Sequence, residues 1–325
     1  MKWDEFAFLN QQLAGMLRAG IPLEGSLRQL SAQMRRGKLR GELDALQRDL
    51  AAGMPLHEAI ALRNLPELYV RMTQAGASGG DLSGVLTMLA DYYNRLAATV
   101  TRLKGLMVYP LIVLLASLGL SVLITFIFHN LVVSLFDDVD LLGMISKPSL
   151  YPGMFMPSAI LAGLLAIWFS IVLIPKFRNW ARWKLPGFRE ASLAQFSGAA
   201  ALLLRSGTPL QTSLGLLQKT EDNNPAGREV ARWMSLHAQG QAKWSSFTAG
   251  SRVFPPLFIW LVAQGGENLA DGFQRASDIY QARSLHKIDM ILYAVLPVTI
   301  MLLAGLIIGQ IYPVIHSIGD MLKYL

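Results

Sequence analysis

Three stretches of this chain carry no Asp, Glu, Lys or Arg: residues 106–128, 155–174 and 291–315. At a rise of about 1.5 Å per residue, roughly 20 apolar residues cross the hydrocarbon core of a bilayer. A helix in lipid satisfies its own backbone donors and acceptors, so uncharged runs of this length are read as spanning helices. Hydrophobic residues make up 53% of the 325 and charged residues 16%, a balance too apolar for an ordinary soluble chain. The expected fold class is an all-α integral membrane protein with three transmembrane helices.

The segments between the runs are polar and helical in pattern. Phe6, Leu9, Leu13, Met16 and Leu17 recur at helical spacing with polar residues between them. The stretch Arg18-Ala19-Gly20-Ile21-Pro22-Leu23 then reads as a helix end and a helix start. Gly20 suits a left-handed residue after a helix, and Pro22 suits the entry to the next one. Further apolar faces follow: Leu23 to Met34, Leu39 to Leu50, a short helix after Gly53 and Pro55, one after Pro66, and one from Leu82. That is about six helices in roughly 100 residues, enough to bury one core. No breaker falls between Asp81 and Lys104, so the last helix is expected to run on into the first apolar stretch. Pro110 lies just inside that stretch and is expected to kink it.

The same order returns 187 positions later. Leu204-Arg205-Ser206-Gly207-Thr208-Pro209-Leu210 repeats the turn, Gly240 repeats Gly53, Leu269 repeats Leu82, Tyr280 repeats Tyr93 and Pro297 repeats Pro110. The offset drifts to 189 at Phe254-Pro255, against Leu65-Pro66, and recovers after Gly265. The duplicated unit is therefore a helical domain plus the span that follows it. The expected organisation is two duplicated six-helix cytoplasmic bundles, 1–105 and 175–288. The spans would occupy 106–128, 155–174 and 289–315, with a short periplasmic loop at 129–154 and a periplasmic tail at 316–325. The middle span has no partner in the repeat.

Charge orients this layout. The net charge is +7, and between residues 175 and 287 Lys and Arg outnumber Asp and Glu two to one. Arg95, Arg102, Lys104, Lys176, Arg178, Arg182, Lys184 and Arg189 crowd the ends of the runs, whereas the 129–154 loop holds Asp137, Asp138 and Asp140 against Lys147. Basic flanks mark the cytoplasmic side and lie against anionic lipid. Trp168, Trp180 and Trp183 fall near the same boundary, where membrane anchoring is the expected role. No groove-reading or base-stacking motif accompanies the charge, so nucleic acid is not an expected partner. The amino terminus lacks the basic-then-apolar order of a signal peptide, so the first bundle is expected to stay on the cytoplasmic side.

Candidate chemistry is sparse. With no Cys there is no disulfide, thiolate site or cysteine nucleophile. His57, His129, His237, His286 and His316 show no metal-ligand spacing. The glycines at 76–80 and 265–266 lack the order of a phosphate loop and read as helix-to-helix turns. Glu267 and Asp271 stand four apart, on what would be one helix face, but neither they nor the 137–140 acids supply the oxygens of a calcium site. No nucleophile–base pair suggests an enzyme, and neither a cofactor nor a metal is expected. Duplication also suits a membrane transporter or channel subunit. Three spans are few for that role, and the stretches 106–128, 155–174 and 291–315 carry no Asp, Glu, Lys or Arg. Small residues in the spans, among them Gly119, Gly163, Gly305 and Gly309, permit close contact within the chain, with a second copy or with a partner helix.

Taken together, the duplicated turns around Gly20-Ile21-Pro22 and Gly207-Thr208-Pro209, the later Gly53 and Gly240, the Leu/Phe-Pro steps, Gly266-Glu267 and the three spans resemble a known family. They are similar to the inner-membrane platform proteins of type II secretion and type IV pilus assembly, the GspF/PilC family. The chain departs from the pattern where Ala77 stands in place of the usual Glu, and where the turn at Glu267 is two residues shorter and lacks its second Gly. The resemblance implies a non-catalytic inner-membrane platform that couples a cytoplasmic secretion or pilus ATPase to polymerisation of pilin or pseudopilin subunits. It further implies contact with other inner-membrane assembly proteins, a homo-oligomer, structural roles for the turn residues, and Glu267 as a candidate coupling residue.

Overall fold

The computed structural model describes residues 2–34, 37–139, 151–173, 183–221, 224–240, 243–248 and 250–324. Every regular element among them is a helix. The first six are α1 (Trp3–Arg18), α2 (Leu23–Gln33), α3 (Lys38–Ala51), α4 (Leu56–Ala61), α5 (Glu67–Gly79) and α6 (Leu82–Val139). The seventh is α7 (Tyr151–Leu173). The remaining six are α8 (Phe188–Arg205), α9 (Leu210–Thr220), α10 (Pro225–Ala238), α11 (Trp244–Phe247), α12 (Pro256–Ala263) and α13 (Leu269–Tyr324).

The turns explain where these helices stop. After α1, Gly20 adopts φ +80° and its N–H donates to the Leu17 carbonyl at 3.0 Å. The Ile21 N–H reaches back to the Met16 carbonyl, also at 3.0 Å. This pair of bonds satisfies carbonyls that the helix end leaves open, and it needs a left-handed residue that glycine supplies at least cost. Gly207 follows α8 in the same way, with φ +81° and matching bonds to Leu204 and Leu203. Pro22 and Pro209 then fix nearly identical entry geometries for α2 and α9, φ −57° and ψ 145° against φ −56° and ψ 146°. Gly53 and Gly240 end α3 and α10 with φ +87° and +93°.

The chain divides into two compact units. One combines residues 1–102 with 179–286, so both helical segments fold into it. Its core holds Phe6, Leu13, Leu27, Leu43, Ile60 and Met72 from the first segment. From the second come Leu193, Leu214, Trp233, Phe254, Phe258 and Phe273, all nearly free of solvent contact. α6 and α13 meet within this unit. Arg95 forms an ion pair with Asp278, and the Gln281 amide donates to Thr99 Oγ1 at 2.7 Å. Gly198 on α8 faces the Tyr92 ring, where an added Cβ would lie 3.4 Å from the ring carbons.

The other unit comprises residues 103–178 and 287–325. α6 and α13 carry apolar stretches long enough to cross a membrane. Many of their side chains are bare: Phe126 is 63% exposed, Met301 76% and Ile308 67%. Apolar surface costs about 25 cal/mol per Å² in water and nothing comparable in lipid, which accounts for an outward face of this kind. Pro110 and Pro297 both lie within these helices.

Several expectations need correction. Residues 129–139 were expected to open a loop but continue α6 as helix, and α7 starts at Tyr151 instead of 155. Residues 76–79 are the last turn of α5, and only Gly80, at φ +77°, makes the turn. Trp183 is not a membrane anchor: it is 6% exposed inside the first unit. Asp140, Lys147, Lys176, Arg178, Trp180 and Arg182 lie outside the described residues, as do the side chains of Asp137, Asp138 and His316.

Candidate functional site

Glu267 sits in the turn between α12 and α13 and is exposed. The turn is tight because its helices touch through backbone. A Cβ on Gly272 would come within 2.3 Å of the Val262 carbonyl oxygen, and one on Gly265 within 2.6 Å of the Asn268 oxygen. Only glycine permits this approach. Gly266, at φ +57°, reverses the chain and leaves Glu267 on the outside. Glu267 and Asp271 do not share a helix face, because α13 begins only at Leu269. Asp271 instead accepts from Arg205 Nη2 at 3.1 Å and from Asn268 Nδ2 at 2.8 Å, tying the end of α8 to the start of α13. The corresponding crossing in the first segment brings Gly76 against Val85, with an added Cβ 2.9 Å from Val85 Cγ2.

Two residues read as membrane-flanking basic groups also work inside the first unit. Arg95 pairs with Asp278, and Arg189 Nη2 donates to the Val253 carbonyl at 2.9 Å. The indole of Trp183 donates to Glu221 Oε2 at 3.2 Å, and Asn224 Nδ2 donates to the same oxygen at 2.7 Å. Glu221 is 4% exposed, and a carboxylate so placed needs such donors. Burial also pushes the Tyr69, Tyr93 and Tyr280 phenols above their ordinary range, so they are neutral at physiological pH.

In the other unit the sequence reading missed a polar cluster, since it looked only for ionisable groups. Gln310 on α13 is 3% exposed. Its amide nitrogen faces three acceptors on α6: the Ser121 carbonyl at 3.1 Å, Ser121 Oγ at 2.6 Å and Thr125 Oγ1 at 3.2 Å. Ser121 Oγ lies 2.9 Å from Ser158 Oγ, which brings in α7. Ser117, Ser121 and Thr125 are all buried and succeed one another at four-residue intervals, so they form a row one helical turn apart. The signal was present as an isolated Gln in an uncharged run and Ser/Thr at i, i+4 and i+8.

These features define an all-helical membrane protein whose long helices α6 and α13 each carry bundle contacts and a membrane-length apolar stretch. The family described as Type II secretion system (T2SS), protein F matches the chain twice, over residues 10–130 and 196–314. The chain belongs to this family, and it is a membrane component of the type II secretion and type IV pilus assembly class. It is 28% identical to the type IV pilus assembly protein PilC of Thermus thermophilus, over 94% of this chain and 80% of the relative. It is 26% identical to the type 4 fimbrial assembly protein PilC of Pseudomonas putida, over 99% and 85% of the two chains. Against the type II secretion system protein F of Xanthomonas campestris it is 27% identical, over 88% and 75%.

Proposed function

We propose that the protein is a non-catalytic inner-membrane platform that couples a cytoplasmic assembly ATPase to polymerisation of pilin or pseudopilin subunits. The observation that carries this reading is the double family match, each copy spanning a helical segment and the apolar helix after it. Matching helix lengths support a duplicated six-helix bundle: α2 and α9 have 11 residues each, α3 and α10 have 14 each. The bundles face the cytoplasm, α7 is the third span, and the whole acts as a homo-oligomer. The ATPase engages the bundle surface around the turns, with Glu267 in the contact, and the spans guide the apolar helix of the pilin. The 58 residues of α6 and the 56 of α13, unbroken by a loop, carry the motion from bundle to span. The proposal is tested by solubilising the tagged protein from its native cells and identifying bound proteins by mass spectrometry. Co-purification of a secretion-type ATPase and pilin-like subunits is the expected result. Recovery of a small-molecule uptake partner without either would favour a transporter subunit and end the platform reading.

A further inference from the structure

We infer that Gln310 has two seats on α6 within the membrane unit, and that α13 slides by one helical turn between them. In the structure the amide occupies the seat formed by Ser121 and Thr125. The row continues with Ser117, one turn earlier and equally buried. Ser117 and Ser121 present the same pair of hydroxyl oxygens at the same spacing, about 6 Å along the helix. A void lies on that side, lined by Ser117, Ser121, Leu303, Leu306, Ile307 and Gln310. Leu306 precedes Gln310 by one turn. If α13 moved about 6 Å toward its own amino terminus, Gln310 would take the place of Leu306, a side chain of similar size, beside the void.

The hydroxyl groups of both seats stay satisfied in the move. Thr125 Oγ1 already donates to the Ser121 carbonyl at 2.9 Å, so losing Gln310 leaves its proton satisfied. Ser117 Oγ donates to the Val113 carbonyl at 2.6 Å and keeps its lone pairs for an incoming amide. Ser121 is common to both seats and keeps its contact with Ser158. Each seat offers a pair of hydroxyl oxygens, and an unpaired amide is costly in lipid, so intermediate positions are disfavoured and the two registers are discrete. One-turn steps of this kind are a known mode of switching between packed helices. The slide needs no catalytic partner and stands apart from the platform reading.

The natural absence of cysteine makes the test direct. In the full-length protein in native membranes, the pair Leu120→Cys/Ile307→Cys reports the present register. The pair Leu120→Cys/Ile311→Cys reports the shifted one, because it moves the partner one turn along α13. Both pairs are expected to cross-link with a short bis-maleimide, above a control pair placed two turns out of register. Adding Ser117→Ala is expected to lower the shifted product about threefold and leave the other unchanged, the factor that corresponds to one hydrogen bond of ~0.6 kcal/mol between membrane helices. Thr125→Val should do the reverse. The inference is overturned if the Ile311 pair cross-links no more than the control, or if Ser117→Ala and Thr125→Val change both pairs alike.

Discussion

The two helical segments of the bundle unit share a backbone plan and differ in what fills it. Their turns agree to within a few degrees at Gly20 and Gly207, and at Pro22 and Pro209. Their cores do not agree. The first is mostly aliphatic, with Phe6 set between Tyr69 and Tyr93 at 4.7 Å from each. The second is a ring cluster: Trp233 lies 4.5 Å from Phe254 and 5.2 Å from Trp244, Phe254 lies 5.1 Å from Phe258, and Trp244 lies 5.0 Å from Phe273. Leu46 occupies in the first segment the position that Trp233 holds in the second. The helix before the crossing is also shorter, 8 residues in α12 against 13 in α5. Turn chemistry therefore holds a repeat in register, while volume moves freely between side chains so long as the space is filled.

Exchanging core residues between the segments should break the comparison most. Trp233→Leu removes ring contacts and leaves a cavity, at a cost of about 3 kcal/mol. Leu46→Trp overpacks the aliphatic core by about 1–3 kcal/mol. Thermal unfolding in detergent, followed by tryptophan fluorescence, is expected to show the first as the larger drop. Next comes the crossing. Gly272→Ala drives a methyl into the Val262 carbonyl and should cost about 2 kcal/mol or more, whereas Gly84→Ala, near the corresponding start of α6, meets only the movable Asp81 side chain and should cost less. The turns should show no asymmetry: Gly20→Ala and Gly207→Ala each force a side chain into the left-handed region, for about 1–2 kcal/mol apiece. The smallest effect is expected at the half-exposed Arg95–Asp278 pair, where Asp278→Asn should cost under 1 kcal/mol and less still at high salt.

Much of this organisation was legible in the sequence because it rests on local signals. An uncharged run, a Gly-x-Pro turn and a fixed offset each act over a few residues and need no knowledge of what packs against them. The misses were of another kind. Trp183 stands beside a hydrophobic run and reads as an anchor, yet its fate is set by Glu221, 38 positions away. Arg95 reads as a membrane flank and is claimed by Asp278, 183 positions away. Gln310 carries no charge, so a search for ionisable residues passes over it, although an amide buried in lipid also requires partners. Its partners lie on α6, and only the meeting of α6 and α13 makes them a site.

The central claim is that motion passes from bundle to span through continuous helix. It is tested most directly by inserting a flexible Gly-Ser segment after Arg102 and another after Lys287, then measuring pilus assembly or secretion in cells. The platform account predicts that assembly is lost while the tagged protein still co-purifies with its ATPase and pilin-like partners. Assembly at the unmodified level with both insertions present would contradict it.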